Sequence, residues 1–240
     1  MGIKVYDNSS GRMNRIVENS FDNFEENTAA SASLITSGLI LHLDAGDTNS
    51  YSGSGTTWSD LSGNENDGTL QNMDGNNYNS ANGGYFTFDG SNEYVNLGQV
   101  QVNTASGTIG FWVELDTING RFFGRHNQFE VRFQSSTLRL DFGGNSSLTS
   151  NRTSWTGDWL YVVITWSESS NTSSLYVNNV LDSTGSCSNV STLTGDMNIG
   201  RSSANLGYMD GKMSMFHSYN RILTAAEITQ NYNTFKGRYE

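Results

Sequence analysis

From Gly38 onward the apolar residues fall at every second position or in short unbroken runs, and polar turn residues punctuate them. That is the pattern of strands rather than helices. "GLILHLDA" reads as a near-continuous apolar strand, and "YFTFDGSNEYVNLG" as strand, Asp-Gly turn, strand. "GTIGFWVELD" carries a bulky core set, while "GRFFGRHNQFEVRF" and "TLRLDFGG" look like two more strand pairs. "DWLYVVITWSESSNTSSLYVNNVLDSTG" predicts a hairpin turning at 169–171, with a second turn at Asn178–Asn179, where asparagine tolerates positive φ. "GDMNIGRSS" and "DGKMSMFHSYN" complete the set. Roughly a dozen short strands at regular spacing predict an all-β sandwich.

The two ends break the pattern. In "SYNRILTAAEITQNYNTFKG", Thr224 and Glu227 have capping-box spacing, and Leu223 and Ile228 have the spacing of a hydrophobic staple. Gly237 is a natural stop. Ile228, Tyr232 and Phe235 share one helical face, suited to covering an open end or edge of the sandwich. Residues 1–35 are polar, but Met13, Ile16, Val17, Phe21 and Phe24 fall on one narrow face at 100° per residue, with Ser9 or Ser10 as cap. That face is too small to form a core alone. It either packs on the main domain or docks a partner chain. "TAASASLITSG" reads as the linker.

The order of these pieces resembles the laminin G-like, concanavalin A-like jelly-roll domains. The pieces are "GLILHLDAGDTNSYSGSGTTWSDLSGNENDGTLQN", "FDGSNEYVNLG", "GTIGFWVEL", "WLYVVITWSESSNTSSLYVNNV", "MNIGRSS" and "DGKMSMFHSYNRILTAAEITQNYN". The resemblance covers residues 38–240 and implies that 36–240 is a jelly-roll β-sandwich with a short C-terminal helix, which leaves 1–35 as an N-terminal arm. It leaves function to the site, because this fold hosts many functions. The stretch "LDAGDTNSYSGSGTTWSDLSGN" is similar in style to bacteriophage tail-fibre and head-decoration chains. That likeness implies a non-enzymatic virion structural protein, made in the host cytoplasm and docked by its arm on other capsid or tail proteins as a homo-oligomer. The alternative is an extracellular carbohydrate-binding or adhesion module that contacts cell-surface glycans, with or without calcium.

Charge narrows the partners. The formal net charge is −11, and the 13 basic residues are scattered along the chain. Phosphate backbones and anionic membranes both demand clustered Lys and Arg, so neither nucleic acid nor membrane is an expected partner. No stretch approaches the length of a membrane span, and "MGIKVYDNSSGRMNRIV" lacks the apolar core of a secretory signal. Hydrophobic residues make up only 35% of the chain, but aromatics make up 12%, which supplies a core through large rings. There is no proline, so Gly, Asn, Asp and Ser must make the turns. A single cysteine, Cys187, leaves no disulfide framework.

Candidate chemistry is sparse. "ELDTIN" matches the E-x-D-x-x-E strand of the fold's β-glucanases at Glu114 and Asp116, but Asn119 stands where the acid/base should be. An amide cannot donate the required proton, so no catalytic residue, enzyme activity or cofactor is expected. His42, His126 and His217 are dispersed, and no G-x-S-x-G elbow is present. Calcium is the one metal weighed. "DLSGNENDG" offers Asp60, Asn64, Asn66 and Asp67, with Asp44 and Asp47, or Asp89, Asn92 and Glu93, as weaker sets. Such residues hold calcium or simply make Asx-turns. For sugar binding, the loop aromatics Tyr51, Trp58, Tyr78 and Trp155 are the candidate platform, whereas Trp112, Trp159 and Trp166 read as core.

Overall fold

A computed structural model describes residues 33–100, 105–187, 195–202 and 207–240. Among them the chain forms sixteen strands and one α-helix. The strands are β1 (Leu39–Asp44), β2 (Thr57–Trp58), β3 (Gly68–Gln71), β4 (Tyr78–Asn79), β5 (Tyr85–Asp89), β6 (Tyr94–Asn96), β7 (Ser106–Leu115) and β8 (Arg121–Arg125). They continue as β9 (Phe129–Gln134), β10 (Thr137–Phe142), β11 (Asn145–Thr149), β12 (Trp159–Ser167), β13 (Thr172–Val177), β14 (Val180–Gly185), β15 (Asn198–Ile199) and β16 (Asp210–Tyr219). Helix α1 spans Ala225–Phe235. The arm residues Met13, Ile16, Val17, Phe21 and Phe24 lie outside the described residues.

Two eight-stranded antiparallel sheets form the expected sandwich. The first sheet runs β14-β13-β12-β7-β16-β5-β4, with β1 also on β16, and the second runs β11-β10-β9-β8-β15-β6-β3-β2. Between them lie the inward positions of both sheets, among them Phe86, Phe111, Phe122, Phe129, Phe142 and Trp166, all fully buried. The predicted turns are in place: Asn171 sits at φ 50°, and Asn178 and Asn179 at 48° and 67°. The last pair gives the doubly positive φ of a primed hairpin turn.

Two elements differ from expectation. "YFTFDGSNEYVNLG" does not fold back as a hairpin. Its first half, β5, pairs with β16 in the first sheet, and its second half, β6, pairs with β3 and β15 in the second. The Asp-Gly turn therefore carries the chain across the sandwich, with Gly90 at φ 77°. Strand periodicity gives the pleat but not the partner. The second difference is the helix. Ile228 and Phe235 do not close an end or edge but join a second apolar cluster, with Tyr232 packed against it, on the outer face of the first sheet. The strands beneath are apolar on both sides. Leu160, Val162 and Ile164 face the sandwich core, and Trp112, Tyr161, Val163, Met215 and Tyr219 face α1.

The helix start is built as its sequence demands. Thr224 Oγ1 accepts from the Glu227 N–H, and the Thr224 N–H donates to Glu227 Oε2 at 2.8 Å. Arg221 clamps the same carboxylate through two nitrogens, at 3.0 and 2.6 Å. Glu227→Ala removes cap and clamp together, and a loss of about 1 kcal/mol of unfolding free energy is expected in chemical denaturation. An unchanged midpoint would contradict the cap's role. The helix and the segments packed with it form a latch over the first sheet, and residues 33–35 belong to it, ahead of the boundary at 36. The Ile35 N–H donates to Asn231 Oδ1, and the Tyr219 hydroxyl donates to the Ile35 carbonyl.

Candidate functional site

A two-sheet sandwich offers two outer faces for ligands. That of the first sheet is occupied by its own chain. Trp112 stacks on Tyr239 with centroids 4.1 Å apart and on Tyr232 at 5.7 Å. Arg238 reaches back to both oxygens of the buried Asp44, at 2.8 and 2.9 Å. Beneath the latch, His217 Nε2 and the Tyr161 hydroxyl share a 2.8 Å hydrogen bond. Burial holds the His217 imidazole well below its ordinary pKa, with His42 adding to the effect. Burial also lowers His42, against the pull of Asp44, Asp60 and Asp47. Both are therefore neutral, packed side chains at neutral pH. Burial pushes the Cys187 thiol up to about 11, which leaves it unionised.

The outer face of the second sheet is different in kind. Its strands alternate core residues with charged ones, as in Phe129-Glu130-Val131-Arg132-Phe133 and Leu138-Arg139-Leu140-Asp141-Phe142. Register stacks these outward residues into two rows across the strands. Arg121 lies opposite Arg132, and Arg132 opposite Arg139, which makes one row of three arginines. The neighbouring row runs Thr69, Asn96, Asn198, Gly124, Glu130, Asp141, Ser146.

The rows are tied to each other. Arg121 Nε donates to Glu130 Oε1 at 3.0 Å, and Arg132 Nε donates to Asp141 Oδ2 at 2.6 Å. His126 Nδ1 is 3.3 Å from the same Glu130 oxygen. Arg139 bonds Gln134 and Ser146. Like charges directly opposite on neighbouring strands cost about 0.2–1 kcal/mol, and the two carboxylates offset that cost. Glu130 and Asp141 are only 3% and 2% exposed, so they must stay paired to be tolerated. The arginines above them keep 17%, 20% and 22% of their side chains in solvent (Arg121, Arg132, Arg139). Farther along the face, the Arg201 guanidinium lies over the Tyr94 ring, 3.3 Å from its centroid. Asn96 Nδ2 donates to Asp196 at 3.1 Å. The buried Asn198 Oδ1 has no hydrogen-bond partner, which is costly for a buried acceptor. The face is thus polar and held in place from below by buried carboxylates.

The sequence-predicted site residues lie elsewhere. Trp58, Trp155 and Tyr51 are 0%, 2% and 3% exposed. They are core rings, not a sugar platform, because "SYSGSGTTW" folds inward: Tyr51 and Trp58 pack edge-on against Phe86. Tyr78 is half-buried beside Tyr51, 4.9 Å between centroids. Trp155 packs on Phe133 and donates to the Arg152 carbonyl. Trp159, read as core, is instead half-buried in the latch beside Tyr239.

The acidic loop is a set of side-chain-bridged turns. Asp60 Oδ1 accepts from the His42 and Ser62 N–H groups, and Oδ2 from the Asn66 N–H and the Ser62 hydroxyl. Asp67 accepts from the Asp60 N–H, and Asn64 donates to the Leu39 carbonyl. Their oxygens already serve this chain's own donors. Among the described residues no three His, Cys, Asp or Glu side chains gather as a metal-ligand group. Glu114 is held by Lys212 at 2.7 Å.

The polar face carried a sequence signal, the charged residue at every second position of "FEVRF" and "LRLDF". It locates a solvent face but says nothing of how three strands align their arginines.

A family model described as the concanavalin A-like lectin/glucanases superfamily matches residues 89–229. No curated protein sequence matches the chain. Among solved structures it is similar to the receptor-binding domain of botulinum neurotoxin C/D mosaic serotype, at 14% identity and TM-score 0.63, covering 82% of this chain and 51% of that one. It is also similar to domain 4 of AbnA, an extracellular arabinanase from Geobacillus stearothermophilus, in complex with arabinotriose (17% identity, TM-score 0.58, 81% of this chain and 98% of that one). A third is a Trypanosoma rangeli sialidase mutant displaying trans-sialidase activity (16% identity, TM-score 0.62, 87% and 35%). The chain spans about half the toxin domain and about a third of the sialidase. At these identities the likeness is one of fold.

Proposed function

The chain belongs to the concanavalin A-like lectin/glucanases superfamily, and we propose that it serves as a non-catalytic, lectin-type domain that binds glycans on the outer face of its second sheet. One observation carries this reading. The latch covers the centre of the other face, while this one carries Asn96, Arg121, Arg132 and Arg139 on a sheet, beside the Tyr94 ring with Arg201 over it. Fixed polar groups beside a ring are what a sugar's hydroxyls and C–H faces require. The non-catalytic part rests on Asn119 in the acid/base position and on the Lys212 ion pair that holds Glu114. Arabinotriose on domain 4 of AbnA, a similar fold, supports the ligand class.

The test is a broad glycan array with the full chain, with and without chelator, which also reads calcium dependence. Binding is expected, with Tyr94→Ala weakening it at least about tenfold while Tyr78→Ala, on the other sheet, leaves it intact. A blank array, or a signal indifferent to Tyr94, would sink the reading.

The setting we propose is a virion. The domain would be displayed from a capsid or tail and docked on other virion proteins, as a homo-oligomer, through residues 1–35. The sequence style of the opening strands and the apolar stripe from Met13 to Phe24 support it. Removing residues 1–32, which spares the latch contacts of 33–35, should leave glycan binding intact and abolish attachment to particles. Attachment by the truncated chain would overturn the docking role.

A further inference from the structure

We propose that the ligand of this face is an acidic saccharide, a glycan whose sugars bear carboxylates, gripped by the arginine row Arg121, Arg132 and Arg139. The proposal rests on the glycan-binding reading above and gives it a chemical class. The chain carries a net charge of −11, which would repel an acidic polymer from most of its surface. On this face the layers are arranged the other way. The carboxylates of Glu130 and Asp141 are buried, while the arginine side chains paired with them stay partly exposed.

Position adds to sign. The three arginines are successive cross-strand neighbours, so their guanidinium groups follow one another at strand spacing, about 4.8 Å. Arg121 and Arg132 are each anchored through Nε to a carboxylate. That anchoring fixes the plane of each fork before a ligand arrives and lowers the entropy lost on binding. The Nη donors left over on these aligned, planar forks match carboxylate oxygens better than neutral hydroxyls. A fold that needed only solubility here would alternate the signs across strands. Instead the register sets three cations side by side. Arg201 on Tyr94 extends the positive layer along the face.

The experiment is calorimetric titration of the full chain with oligogalacturonate, with sialyl-lactose, and with neutral arabino- and cello-oligosaccharides. One of the acidic probes is expected to bind at least about tenfold tighter than the neutral ones and to weaken as salt rises from 0.05 to 0.5 M, about a threefold fall in screening length. Which acidic probe binds separates uronate from sialate chemistry. Arg139→Gln should lower that affinity about tenfold. Arg132→Lys keeps the charge above Asp141 and so protects folding, yet it should also lose affinity because the fork is gone. Equal binding of acidic and neutral sugars, or indifference to both substitutions, overturns the acidic class while leaving a lectin. Absence of binding to any probe, together with a blank array, overturns both.

Discussion

Ile228→Ala and Leu223→Ala should each lower the unfolding free energy by about 2–5 kcal/mol, although both residues lie outside the space between the sheets. Ile228 is fully buried and Leu223 is 2% exposed, packed with Trp112, Tyr161, Val163, Met215 and Tyr219. Truncation there opens a cavity in the apolar cluster that α1 makes with these rings. For a domain of this size the expected fall in Tm is about 4–20 °C. Val180→Ala is the matched control. Val180 is 68% exposed at the start of an edge strand, and its loss should change stability by less than about 0.5 kcal/mol. Glycan binding should survive in folded latch variants, because the arginine row lies on the opposite sheet. A Tm within 2 °C of the parent for both latch variants would show that α1 is an ornament, not a structural element.

Acid should weaken the same region. His217 and His42 sit neutral beneath the latch, each with its pKa lowered chiefly by burial. The sign follows from proton counting. Below the unfolded value of about 6.5, the unfolded chain binds protons that the folded chain refuses. Stability is therefore full above pH 6.5 and falls as pH drops toward the folded pKa of each histidine. The slope reaches about 1.4 kcal/mol per pH unit per histidine. Thermal unfolding between pH 8 and pH 5 should show it. His217→Phe loses the Tyr161 hydrogen bond and so starts lower, but its pH dependence should be shallower than that of the parent. A parallel pair of curves would remove His217 from the account. Glu227 titrates separately. The Arg221 clamp holds its carboxyl down to about 2, so its contribution is present above the usual 4.5 and disappears only as pH falls toward 2. Gly110 adds a steric check: a β-carbon there would overlap the His217 ring. Replacing it with alanine should unseat the His217–Tyr161 pair.

Much of the architecture is local, and for that reason it was legible. Period-two alternation marked β9, β10 and β13. Asn178–Asn179 marked a primed turn, because few other residues accept two successive positive φ values. The T-x-x-E spacing marked the helix start, since a capping box closes within four residues. What the sequence left open was every relation between distant segments. It could not say that β5 and β6 part company across Gly90, because a strand's partner is chosen by which apolar face it can bury. It placed Tyr51, Trp58 and Trp155 in turns and so, by composition, near solvent. Only packing showed that "SYSGSGTTW" folds its rings into the core. It gave the helix an apolar stripe but not the surface beneath, which β7, β12 and β16 create by being apolar on both faces. The polar face of the second sheet follows the same rule. Arg121, Arg132 and Arg139 were each visible as outward residues of separate strands. Strand register alone sets them side by side above Glu130 and Asp141, because alignment across a sheet is a property of the pairing and not of any one strand.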